Sequence, residues 1–343
     1  MYKKAYLVLV DKMFYKNRIF QLKNPDNFSD RLFKERTYPY FLLQQEFKKL
    51  GIVLDTYDYF KEGDSSYVLV FVDVPVNLEY FLKKHKNADK FLIIYESPII
   101  SLRNLDKKNH KHFKKVFTWQ NSLIDNKKYF KLNYANTIPD NLGFSSSDKK
   151  KLCTMISGHK FKTNPAELYT ERVKAIRWFE KNATEDFDFY GKGWDRYYFK
   201  DNFTKLNRLT FLTKFLKPHY PSYKGPVKLR DEIYKKFKFA ICYENSTGCD
   251  GYISEKIFDC FFSGCVPIYW GESNIDKYIP KNTFIDKRLF KTYEELYSHI
   301  KNMPSEKYEE YLENIKKFIK SEKMYPFTAE CFAETISREI TKE

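Results

Sequence analysis

The stretch CYENSTGCDGYISEKIFDCFFSGCVPIYWG (Cys242–Gly271) sets Glu244 and Asn245 before a glycine-bearing loop, with Glu255 and Lys256 after it. Two glycines within Ser246–Gly251 let the backbone approach a ligand closely. Ser254 stands where a helix is expected to begin, and Ile257, Phe258, Phe261 and Phe262 follow at helical spacing. The free N–H groups of such a terminus suit an anion. Lys256 in the first turn opposes the helix dipole by roughly 0.3–1 kcal/mol, a cost that a bound anion offsets. Glu255 suits the dipole and is placed to accept hydrogen bonds from a ribose. The same spacing also fits a solvated Glu–Lys pair at an ordinary helix start.

Arg172 is the second cation that spacing singles out. In ELYTERVKAIRWF the apolar stripe is Tyr169, Val173, Ile176 and Phe179, and Arg172 falls on it. A guanidinium near a core face needs a partner. A diphosphate is a good bidentate one, and an internal salt bridge is the alternative. Acids are the third group. Three apolar runs of the first half end in Asp11, Asp73 and Glu96. A strand-end carboxylate is a candidate general base, a role worth ~10²–10⁴ in rate. Asp11 and Asp73 read more simply as turn or helix caps. Glu96 precedes Ser97–Pro98, and Pro98 stiffens the backbone that carries it. Glu96 is therefore the catalytic candidate.

These residues need strands and helices to hold them. AYLVLVD, SYVLVFVDVP, KFLIIYESP and KVFTW are short apolar runs of the kind found in buried parallel strands. YPYFLLQQEFKKLG reads as a helix, with Pro39 near its start and Gly51 past its end. GFSSSDKKK (Gly143–Lys151) reads as a domain boundary. The rhythm then restarts: LCTMISG, FDFYG, KFAICYE and VPIYWG as strands, and PAELYTERVKAIRWFEK, KLRDEIYKKF and SEKIFDCFFSG as helices. Gly264 is placed to end the last of these helices. Helical segments around TYEELYSHIK and EKYEEYLENIKKFIKSEK close the chain. The expected architecture is α/β, with two Rossmann-like domains facing across a cleft. The expected divisions are 1–148, 149–325 and a helical tail over 326–343.

The chain has 343 residues, with 61 basic and 45 acidic side chains and a formal net charge of +16. That balance favours anionic partners such as nucleotides. It also suits a nucleic-acid-binding protein, yet no recognised motif of that kind is present. Six cysteines without a C-x-x-C pair read as reduced buried thiols. The histidines of NHKH (Asn109–His112) read as surface residues of a Lys-rich turn, not as metal ligands. No apolar run is long enough to span a bilayer.

The donor loop YENSTGCDGYISEKIFDCFFSGCVPIYWG, followed by YIPKNTFID, resembles the signature of glycosyltransferase family 10, the α-1,3/4-fucosyltransferases. YESP (Tyr95–Pro98), FTWQNS (Phe117–Ser122), YTERVKA and FYGKGW resemble further elements of the family in the same order. The resemblance implies a GT-B fold with the acceptor domain first and the GDP-sugar domain second. It implies Glu96 as base, Arg172 and Lys256 on the diphosphate, and Asn245, Tyr252 and Glu255 on nucleotide or sugar. Glu244 and Ser254 belong to the same donor signature. It further implies inverting transfer from GDP-fucose to an N-acetylglucosamine-containing glycan of a bacterial surface polysaccharide or lipid. No metal site is implied; divalent cations would be stimulatory, not required. The expected partners are a GDP-sugar and a glycan acceptor, without nucleic acid. The expected location is the cytoplasm, with contact to the inner membrane no more than peripheral. Two departures stand out: Gly251 lengthens the loop by one residue, and Ser254 replaces the usual Thr. Both leave room for a GDP-sugar other than GDP-fucose.

Overall fold

The structure, a computed structural model, describes residues 2–23, 30–144, 149, 151–199 and 201–342. The chain forms two units. Unit 1 comprises Met1–Ile138, Cys249–Ile253 and Glu322–Glu343; unit 2 comprises Pro139–Gly248 and Ser254–Ser321. The boundary expected at 148 lies outside the described residues. The stretch expected as a tail belongs to unit 1, because Phe332, Ala333, Ile336 and Ile340 are buried in its core.

Unit 1 carries β1 (Lys4–Val8), β2 (Val53–Thr56), β3 (Tyr67–Val72), β4 (Asp89–Ile94), β5 (Lys115–Thr118) and β6 (Tyr129–Lys131). They form one sheet in the order β2-β1-β3-β4-β5-β6, parallel throughout. Its helices are α1 (Asp30–Lys49), α2 (Leu78–Lys84) and α3 (Lys107–His110), with the C-terminal Ala329–Thr341 returning to the same unit. The central strand β3 is apolar on both faces, since each side is covered: it reads YVLVFV, and its four central residues are buried.

Unit 2 carries β7 (Lys151–Ile156), β8 (Phe187–Tyr190), β9 (Phe237–Tyr243), β10 (Val266–Trp270) and β11 (Ile285–Asp286). Their order is β11-β10-β9-β7-β8, again all parallel. The helices are α4 (Tyr169–Asn182), α5 (Thr210–Phe215), α6 (Arg230–Tyr234), α7 (Glu255–Phe262), α8 (Tyr293–Lys301) and α9 (Ser305–Ile319); Ala329–Thr341 is then α10. The chain builds outward from β7 to β8, then reverses to place β9 on the other side of β7. Ligands of open α/β sheets bind at the carboxyl ends of strands where the order reverses, here β7 and β9.

Three local expectations are corrected. The first helix begins at Asp30, so Pro39 lies inside it. A proline there removes one helical hydrogen bond, but Tyr40, Leu43 and Phe47 bury against the same core as Phe332 and Ile336. The Thr37 hydroxyl donates to the carbonyls of Gln21 (2.6 Å) and Phe33 (3.0 Å) in the turn before it. The helix expected over KLRDEIYKKF shrinks to the five residues of α6. His110 is fully buried, not a surface residue. Burial lowers its pKa and favours the neutral ring, which meets the Asn104 carbonyl at 2.8 Å. Among the described residues no helix is long and apolar enough to cross a membrane.

Gly264 ends α7 as its position implies. Its φ is +61°, and a Cβ there would lie 2.3 Å from the Gly143 carbonyl oxygen. Gly264→Ala is expected to destabilise the fold by about 1–3 kcal/mol, as a lower denaturant midpoint at unchanged slope. An unchanged midpoint would contradict this reading of the turn.

Candidate functional site

The carboxyl end of β9 delivers Glu244 and Asn245. Glu244 is completely buried. One of its oxygens accepts from the Ser254 backbone N–H at 2.8 Å; the other accepts from the Ser254 hydroxyl at 2.7 Å and from Lys256 Nζ at 3.1 Å. Ser254 is the N-cap of α7, so the helix start is held against the strand end by a charge. Lys256 Nζ also donates to Ser254 Oγ at 2.8 Å, and the lysine side chain keeps 22% of its exposure. Burial lowers the pKa of this ammonium, but the Glu244 and Glu255 carboxylates outweigh it, and the net shift is upward. Lys256 is therefore a fixed cation at a helix N-terminus.

Arg172 approaches the same strand end from α4. Its Nη2 donates to the carbonyls of Tyr243 and Glu244, both at 2.7 Å, and reaches Asn245 Oδ1 at 3.3 Å. The guanidinium lies 4.9 Å from the centre of the Tyr169 ring. Its place on the apolar stripe is thus explained by the strand-end carbonyls that it binds. The β9 end is tied further by Leu168 N–H donating to the Asn245 carbonyl at 3.1 Å and Thr247 N–H to Ala166 O at 2.8 Å. Glu255, in the first turn of α7, faces Arg230 at 3.6 Å, and Arg230 also pairs with Asp259 at 2.6 Å. Arg230 was not singled out in the sequence, where nothing marks it among many basic residues. Beside this end, the turn after β8 needs Gly191: its φ is +141°, and a Cβ would lie 1.8 Å from the Ser157 carbonyl oxygen.

In unit 1, Glu96 follows β4 and is half-buried. Its backbone is held by the residue that follows β3. Asp73 Oδ1 accepts from the N–H groups of Tyr95 (2.8 Å) and Glu96 (3.1 Å) and from Asn104 Nδ2 (2.7 Å). Asn104 in turn accepts from Val74 N–H through Oδ1 at 2.9 Å. Asp73 has a φ of +60°, a conformation uncommon for a residue with a side chain. Asp73 is thus a brace under Glu96. Asp11 caps a short 3-10 turn, accepting from Met13 N–H at 3.0 Å. Asn104 escaped the sequence reading because a single buried amide leaves no pattern.

The comparisons with known proteins decide the family. Residues 146–331, more than half of the chain, match "Glycosyltransferase family 10 (fucosyltransferase) C-term". The chain belongs to glycosyltransferase family 10. It is 37% identical over 81 residues to the alpha-(1,3)-fucosyltransferase FucT of Helicobacter pylori, covering 24% of this chain and 17% of that protein. It is 37% identical over 67 residues to an alpha-(1,4)-fucosyltransferase of Arabidopsis thaliana, covering 20% of this chain and 16% of that one. The matched stretch spans about a sixth of the length of these relatives. A crystal structure of an alpha1,3-fucosyltransferase with GDP-fucose aligns over 100% of this chain and 93% of that chain, at 17% identity and a TM-score of 0.52. That likeness is one of fold, and the fold of this family 10 chain is GT-B.

The family signature also carries the loop that differs. Cys249–Ile253 belongs to unit 1, whereas its flanks belong to unit 2. Asp250 accepts from Asn121 Nδ2 at 2.8 Å and from Ser122 N–H at 3.1 Å. Tyr252 is buried and meets the Trp119 ring edge-on at 5.1 Å. The extra residue has to be glycine: at φ +90° a Cβ on Gly251 would lie 2.3 Å from the Trp119 carbonyl oxygen. The FTWQNS segment is therefore the seat of this loop.

Substitutions at Asp73 and Glu244 test the braces. Burial raises the Asp73 pKa, against three hydrogen bonds that lower it. Its contribution to stability is then present below the ordinary carboxylate pKa and lost as pH rises through the folded value. Asp73→Asn keeps the accepting oxygen, so at pH 7 it is expected to be at least as stable as the parent. That advantage should shrink as pH falls toward about 4. Asp73→Ala strands the donors and should cost roughly 1–3 kcal/mol. Urea melts across pH check both, and an Asn variant as weak as Ala would contradict the assignment. Glu244→Ala leaves Lys256 without its buried partner and is expected to cost about 3–5 kcal/mol in the same melts. A loss under 1 kcal/mol would contradict it.

Proposed function

We propose that this chain is an inverting fucosyltransferase, moving L-fucose from GDP-fucose to a hydroxyl of an N-acetylglucosamine-containing glycan in an α-1,3 linkage. A bacterial surface polysaccharide is the proposed product. The observation that carries the reading is the pairing of Arg172 and Lys256 at the carboxyl end of β9, beside the reversal of strand order. Membership of the family and the GDP-fucose bound to a protein of the same fold support it.

In this reading Lys256, Arg172 and the N–H groups at the start of α7 hold the diphosphate. Asn245 and Glu255 contact nucleotide or sugar. Tyr252, expected on nucleotide or sugar, is buried against Trp119 and has the role of keeping the loop in shape instead. Glu96 takes the proton of the acceptor hydroxyl as that oxygen attacks the anomeric carbon, and GDP departs from the opposite face. Charge-assisted hydrogen bonds contribute roughly 1.5–3 kcal/mol each. They contribute more against charge that develops only in the transition state. Two cations and a helix terminus therefore meet the leaving group's charge, and divalent ions stimulate without being required.

A GDP-release assay tests the proposal, with a panel of GDP-sugars against a panel of acceptor disaccharides. Release is expected with GDP-fucose and an N-acetylglucosamine-containing acceptor together. Release with another GDP-sugar alone would instead assign a different donor. Glu96→Gln is expected to lower turnover by about 10²–10⁴ with GDP-fucose affinity retained; near-parental turnover would remove Glu96 as the base.

A further inference from the structure

The stretch from Phe203 to Lys217 in unit 2 leaves a cluster of large apolar side chains on the protein surface. Thr213 and Asn207 anchor it by hydrogen bonds, and Leu206 and Leu212 are half-buried beside them. Thr213 is buried, and its carbonyl accepts from Tyr197 N–H at 2.6 Å. Asn207 accepts from Phe199 N–H at 2.8 Å and donates to Phe199 O at 2.9 Å. What it turns outward is apolar: Phe211 is 84% exposed, Phe215 77%, Phe203 65% and Leu209 52%. Phe211 and Phe215 stand one turn apart on α5 with near-parallel rings, their centroids 6.4 Å apart. A hydrogen-bonded segment with three phenylalanines and a leucine in water needs something apolar to receive them.

The charges around these rings say what that is. Lys205, Arg208, Lys214 and Lys217 are exposed along the same stretch. From Asn202 to Arg230 the sequence has no acidic residue at all. Among the described residues none of the four has a carboxylate partner. Phenylalanine and leucine tips ringed by unpaired cations match the boundary of a bilayer with anionic headgroups, where the rings enter the acyl region and the cations meet phosphates. A nucleic acid would use the cations and could stack on the rings, but it offers nothing to Leu209.

We propose that Phe203–Lys217 docks this enzyme on an anionic lipid surface. The proposal holds independently of which sugar the chain transfers. The test is flotation of the full chain with vesicles of phosphatidylcholine alone or mixed with phosphatidylglycerol. Binding to the mixed vesicles is expected, at least about tenfold tighter than to phosphatidylcholine, and weaker at high salt. Phe211→Ser with Phe215→Ser should abolish flotation, and glutamine at Lys205, Arg208, Lys214 and Lys217 should abolish the lipid preference, with the circular dichroism spectrum of each unchanged. As a second readout, Phe211→Trp should show a blue-shifted emission on mixed vesicles only. The proposal is overturned if the parent stays in solution, if both vesicle types bind alike, or if the folded double-serine variant floats as the parent does. Capture by single-stranded DNA without vesicle binding would also overturn it.

Discussion

A carboxylate with no access to water must find its hydrogen-bond donors inside the protein, and Glu244 finds them at the start of one helix. The Ser254 N–H, the Ser254 hydroxyl and Lys256 Nζ all lie within 3.1 Å of it. These contacts fix where α7 begins relative to the end of β9. The side-chain cap by Ser254 and the placement of Lys256 both follow. So does the glycine after β10, since a Cβ on Gly271 would lie 2.5 Å from Glu244 Cγ. Arg172 fastens the same strand end from α4 by taking the carbonyls of Tyr243 and Glu244. The end of β9 thus sets the positions of both cations proposed for a diphosphate, Lys256 through the Glu244 carboxylate and Arg172 through backbone carbonyls.

Unit 1 uses the same device on a smaller scale. Asp73, one strand over from Glu96, spends a buried oxygen on backbone N–H groups and on Asn104 instead of on chemistry. His110 holds Asn104 from behind. The candidate base is therefore mounted on a chain of partly or fully buried polar groups, each satisfied by the next. Such networks are rigid when complete, which is what a residue accepting a proton from a positioned hydroxyl requires.

Strands were legible because buried parallel strands are continuous apolar runs, and Glu244, Lys256, Arg172 and Glu96 were legible because strand ends and helix starts can be counted. The order of the donor loop made the family legible as well. The roles inside that loop were less so. Spacing alone does not separate Glu244, which no water reaches, from Glu255, which faces Arg230. Long-range partners were invisible: Asn104, Arg230 and the seat of Tyr252 on Trp119 depend on residues far apart in the chain. The start of the first helix is not legible locally, because core contacts with α10 override the helix-breaking tendency of Pro39.

The central claim is that Lys256 and Arg172, placed by Glu244 and the end of β9, grip a pyrophosphate. Calorimetric titration with GDP and with GMP tests it most directly, on the parent and on Lys256→Met. GDP is expected to bind the parent at least about tenfold more tightly than GMP, since one charge-assisted contact is worth about 1.5–3 kcal/mol, and the gap should narrow about tenfold in the variant. Equal affinities for GDP and GMP in the parent, or a gap undiminished by loss of the lysine, would contradict the account.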